Sequence, residues 1–171
     1  MSPRRAIAAT VGAALVGALA VMGVALGTPA SGVKSAEIMA RGDFPDRVDA
    51  KFKFRPPHRR GLRVANARNA GEVVVQRIVI ADGGHTGWHS HPGPVVVVVK
   101  SGALTYIPAD DTSCEGRTYG AGEAFIDPGQ GHVHIARNLS GEDVEFWATY
   151  LDVPRGGAVR IDADAPGTCP F

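Results

Sequence analysis

From residue 73 onward the chain alternates short apolar runs with turn residues, and no segment after residue 41 sustains the 3.6-residue apolar period of a helix. Val73 to Ile80 ends at Asp82-Gly83-Gly84. Val95 to Val99 ends at Lys100-Ser101-Gly102 and is followed at once by Ala103 to Ile107, which reads as a hairpin. A loop from Pro108 to Gly122 precedes Glu123 to Ile126. The turn Asp127-Pro128-Gly129-Gln130-Gly131 then leads into His132 to Ala136, and Leu139 to Glu142 turns into Val144 to Leu151. Upstream, Ser35 to Arg41 has room for a turn or two of helix at most.

Short strands at regular spacing with turn signals between them predict an all-β sandwich or barrel. Five consecutive valines would be a liability at an exposed edge, so Val95–Val99 is expected to be a central strand buried on both faces. The predicted organisation is a signal or anchor at residues 1–30, a lead-in over 31–64, one barrel over 65–155 and a tail over 156–171.

The N-terminus changes the picture of where the chain works. Arg4-Arg5 precedes Ala6 to Gly27, a run without a charged residue, and small residues follow at Thr28-Pro29-Ala30-Ser31. A basic start, an apolar stretch and a small-residue exit describe a secretory signal peptide. Residues 6–27 are also long enough to stay as a membrane anchor. Either reading puts the domain outside the cytoplasm, secreted or at the cell envelope. Cys114 and Cys169, the two cysteines, are then expected to pair and to staple the tail to the 108–122 loop. Removing residues 1–30 takes away two arginines and no acid, leaving 16 basic against 17 acidic side chains. That balance argues against nucleic acid as a partner.

Candidate chemistry is concentrated in the histidines, five of the six lying between residues 85 and 134. His89 and His91 are two apart, so an extended strand points both to one face, and His132 and His134 repeat the spacing. Two strands presenting His-x-His to a common interior can supply the imidazole nitrogens of a transition-metal site. His85, in the Gly84–Gly87 turn, is expected at the rim. Trp88, of opposite parity to His89, is expected behind the strand. Glu123 and Asp127 sit beside turns and are not expected to reach the metal.

Two motifs carry a resemblance. Gly83, five residues, His89-Ser90-His91 and then Gly102 resemble the first cupin motif. Gly122, five residues, Pro128, Gly131, His134, three residues and Asn138 resemble the second, with one extra residue between Pro128 and Gly131. The resemblance implies a double-stranded β-helix (a jelly roll) with a metal inside the barrel, held by His89, His91 and His134; His132, by the parity it shares with His134, is a candidate fourth ligand or supporting donor. Cupins usually place a glutamate four residues after the second histidine, and here that position is Val95.

Three neutral imidazoles leave a divalent ion (Fe, Mn, Zn, Ni or Cu) its full charge and open coordination positions. Some cupin-like dioxygenases use a three-histidine iron. The resemblance therefore implies a dioxygenase-type oxidoreductase acting on a small oxygenated molecule, with a non-catalytic metal or small-molecule binding protein, or a metal-dependent isomerase or lyase, as alternatives. Family habit and the need to cover sheet edges imply a homodimer.

Overall fold

The structure, a computed structural model, describes residues 27–55 and 61–171. The expected signal or anchor lies, as far as residue 26, outside the described residues. The strands are β1 (Ser31–Asp43), β2 (Ala50–Phe54), β3 (Arg63–Ala67), β4 (Glu72–His85), β5 (His89–Ser90), β6 (Val95–Ser101), β7 (Ala103–Pro108), β8 (Arg117–Gly120), β9 (Ala124–Asp127), β10 (His134–Arg137), β11 (Val144–Val153) and β12 (Ile161–Asp162).

All pairings are antiparallel. One run of strands is β1-β4-β11-β6-β9 and the other is β12-β5-β10-β7-β8, joined where Arg137 of β10 meets His85 of β4. The two runs wrap into a nearly closed barrel, with β2 and β3 as a separate hairpin. This is the expected all-β jelly roll.

Strand alternation builds the core. Val74, Ile78 and Ile80 of β4, Val95, Val97 and Val99 of β6, and Val144, Phe146, Ala148 and Tyr150 of β11 are buried together. A smaller cluster of Trp88, Ile107, Ile135 and Cys169 lies apart from it, with Phe171 stacked on Trp88. Trp88 therefore packs behind its strand, as its parity predicts, and donates its indole N–H to the Phe171 carbonyl. The Cys114–Cys169 disulfide closes the tail onto the same cluster.

Three expectations are corrected. Ser35 to Arg41 is part of the edge strand β1, because β4 offers it a ladder of backbone partners from Glu72 to His85. The valine strand β6 is central, between β11 and β9, but it is not buried on both faces: Val98 is 44% exposed. An antiparallel sheet can leave its outer face in water, and β-branched residues suit that face too. Third, His132 is not in a strand. β10 begins at His134, so the second His-x-His is only half extended.

Candidate metal centre

The short strand β5 places His89, and β10 pairs with it so that His134 stands directly across from His89. Cross-strand partners share a face, so the two rings meet, with centroids 4.3 Å apart. His91 follows two residues after His89 on the same side and joins them, 4.8 Å from His89 and 5.2 Å from His134. One ring nitrogen from each of the three lies within 4.8 Å of the others. All three histidines are buried.

The other ring nitrogen of each is already engaged. Nδ1 of His89 is 2.9 Å from the Gly87 carbonyl, Nδ1 of His91 is 2.7 Å from the Val159 carbonyl, and Nδ1 of His134 is 3.3 Å from the His132 carbonyl. A carbonyl can only accept, so each Nδ1 carries the proton and each Nε2 keeps a free lone pair. Fixing the tautomer in this way is how imidazoles are prepared for a metal. Burial also holds all three neutral: it pushes His134 down to about 4, and His89 and His91 below the usual histidine range. The donor set fits a divalent transition ion.

This electrostatic arrangement predicts how the metal-free protein responds to acid. Below about pH 6.5 the unfolded chain protonates these histidines while the folded chain does not. Stability is therefore full above pH 6.5 and declines as the pH falls toward 4, by roughly 3 kcal/mol for His134 alone. Asp127 is held below the usual carboxylate range, and its contribution is lost only below about pH 4. Thermal midpoints of chelator-treated protein should drop steadily between pH 7 and 4.5. A flat profile over that interval would contradict the buried, neutral assignment.

Asp127 sits beside a turn, as expected, but it is 1% exposed, and its Oδ2 lies 3.2 Å from His134 Nδ1. Asp127 ends β9 and stands directly opposite Val95 of β6. Its Oδ1 accepts the Gly129 N–H at 2.7 Å, and its Oδ2 accepts the Tyr106 hydroxyl. The turn that follows requires glycine at 129: φ is +61°, and a Cβ there would lie 1.8 Å from the Gly93 carbonyl oxygen.

The remaining candidates fall outside the three-histidine group. His132 is partly exposed, with Nδ1 3.3 Å from the Tyr106 hydroxyl and 3.8 Å from Asp127. Together with Asp127 and His134 it makes a second compact group of potential ligands. His85 stays near the rim, where its Nδ1 accepts the Gly87 N–H. Glu123 closes a turn by accepting the Gly120 N–H and does not enter the site.

The three histidines line a cavity of about 220 Å³. Val95 and Val97 form part of its wall, Phe146 and Tyr150 another part, and Arg160 is its only positively charged lining residue among the described residues. A larger cavity, about 390 Å³, lies against the β2–β3 hairpin, and Tyr106 and Phe125 line both.

No family model and no curated protein matches the chain. Solved structures do. A cupin-like protein from Thermotoga maritima is 20% identical over 54% of this chain and 65% of its own, with a TM-score of 0.45. An oxalate oxidase is 21% identical over 53% and 46%, with a TM-score of 0.44. A sugar phosphate isomerase of the cupin superfamily from Silicibacter pomeroyi is 20% identical over 45% and 48%, with a TM-score of 0.39. This chain thus spans less than two thirds of the length of each. The structures it resembles include cupin-like and double-stranded β-helix proteins, and its own strand order is that of an antiparallel jelly-roll barrel.

Proposed function

We propose that this chain is an exported protein that holds one divalent transition metal through His89, His91 and His134 and acts on a small oxygenated molecule as a dioxygenase-type oxidoreductase. The observation that carries the reading is the shared state of the three rings: each is buried, each has Nδ1 at a carbonyl, and their other nitrogens face one small chamber. Export is supported by the Cys114–Cys169 bridge and the apolar stretch at residues 6–27.

A bound redox-active ion would supply Lewis-acid and electron-transfer chemistry. The chain supplies the enclosure. At about 220 Å³ the chamber is below the roughly 300–1,000 Å³ of sites for drug-sized ligands, so it suits a molecule of few heavy atoms. Val95, Val97, Phe146 and Ala148 exclude water from one side, and Arg160 favours an anionic oxygen on the substrate. General acid–base chemistry is poorly served here. Burial raises Tyr106 and Tyr150 above the usual phenol range, the three histidines are lowered, and Asp127 is lowered. Each shift moves its group further from neutrality, where a proton-transfer catalyst works best. That favours oxidation or simple binding over isomerase or lyase chemistry.

The test is oxygen uptake by protein loaded with Fe(II), Mn(II) or Cu(II) against small hydroxy acids, oxo acids and diols. Metal-dependent uptake with at least one class is expected. Stoichiometric metal with no uptake across the panel would replace the enzyme reading with that of a binding protein.

A further inference from the structure

The position at which cupins usually carry a ligating glutamate is a valine here, yet the chamber does not lack a carboxylate. Val95 and Asp127 are direct cross-strand partners in the β6–β9 ladder, so their side chains leave the sheet on the same face. Both line the chamber, and both are almost completely buried, at 1% exposure each. A buried carboxylate is costly unless it is paired and hydrogen-bonded, and Asp127 is held by the Gly129 N–H, the Tyr106 hydroxyl and the His134 ring.

From this geometry we infer that Asp127 is the charge-compensating and positioning carboxylate of the centre, acting through the Nδ1 side of His134 and not as a ligand. The negative charge has moved one strand across, from position 95 to position 127. The inference rests on the three-histidine reading above and specifies which residue balances its charge. His89 and His91 face neutral carbonyls, whereas His134 also has an anion at 3.2 Å. A carboxylate beside the N–H of a metal-bound imidazole makes that imidazole a better donor and fixes its ring. Both Asp127 oxygens already accept hydrogen bonds, one from Gly129 and one from Tyr106, which keeps the carboxylate from turning toward the ion. The coordination positions that a glutamate ligand would take are left open, while the net charge of the centre still falls by one unit.

The experiment is titration of the metal-free full chain with Co(II), followed by titration of the loaded protein with azide, for the parent, Asp127→Asn and His132→Ala. Asp127→Asn should bind Co(II) about 10–100-fold more weakly. Its loaded site should bind azide more tightly, by about tenfold, because the ion's charge is no longer offset. Those opposite signs separate charge compensation from mere disruption, which would weaken both. His132→Ala, which removes a ring 3.8 Å from Asp127 but none of the three donors, should shift both constants by less than Asp127→Asn does. Should Asp127→Asn fail to fold, Tyr106→Phe provides the second variant. It removes the hydroxyl that draws on the carboxylate, and Co(II) affinity should hold or rise.

Co(II) and azide binding unchanged in Asp127→Asn would overturn the inference and leave the three-histidine reading standing. Two equivalents of Co(II), the second lost in both Asp127→Asn and His132→Ala, would overturn it by making Asp127 a ligand. Failure of the parent to bind Co(II) would sink the metal reading itself, and the inference with it.

Discussion

Replacing His134 by alanine should remove nearly all bound metal, a loss exceeding the 10–100-fold expected for a supporting residue. The variant keeps only His89 and His91 as adjacent imidazole donors, and it takes away the ring that Asp127 faces at 3.2 Å. The metal-free protein should also lose stability, because a buried carboxylate is left with one partner fewer. A hydrogen bond to a charged group contributes about 1.5–3 kcal/mol. Asp127 retains the Gly129 and Tyr106 hydrogen bonds, which places the expected loss at the lower end. The comparison is His132→Ala, whose ring lies outside the three-histidine group and which should keep full stoichiometry. Metal content by mass spectrometry on both variants checks this. Unchanged content in His134→Ala would mean that the ligands are elsewhere.

The second large effect is expected from Val95→Glu. The new carboxylate would enter the chamber wall facing Asp127 across the β6–β9 ladder, so two negative charges would share one buried face. Like charges directly opposite are destabilising, and burial adds its own penalty. Without metal the variant should be less stable by roughly 3–5 kcal/mol, a drop of about 10 °C in thermal midpoint for a domain of this size. A divalent ion on the three histidines would attract the added carboxylate and occupy it as a ligand. Metal should therefore stabilise Val95→Glu far more than the parent, while lowering azide affinity by filling an open position. Equal stabilisation of variant and parent would show that position 95 does not face the ion.

Much of this was legible in the sequence because it depends on local period and short motifs. Parity placed His89 and His91 on one face and Trp88 on the other, and the resemblance of the Gly83–Gly102 and Gly122–Asn138 motifs to cupins carried the fold class. Asn138 shows why such a motif reads well. Its side chain is wholly buried and binds the Ile80 and Glu142 carbonyls and the Ser140 N–H, so no other residue fills that place equally.

What escaped depends on register and tertiary pairing. Asp127 precedes Pro128-Gly129 and looks like an ordinary turn residue, and nothing local says that it stands across from Val95. The parity it shares with Phe125 was the one available signal. The two-residue spacing of His132 and His134 suggests a strand through both, but β10 starts only at His134. Ser35 to Arg41 has no strong strand pattern of its own and becomes a strand because β4 presents a free edge to it. Val98 reads as buried in the sequence because an apolar run cannot by itself distinguish a core strand from one with a solvated face.

The most direct measurement is X-ray absorption at the metal edge on the purified full chain. The expected result is one divalent first-row ion per chain, with three imidazole nitrogens at about 2.0–2.1 Å if the ion is zinc, oxygen atoms completing the shell and no sulfur. The contradicting result is protein with no stoichiometric ion after reloading, or an ion whose shell contains fewer than three imidazoles.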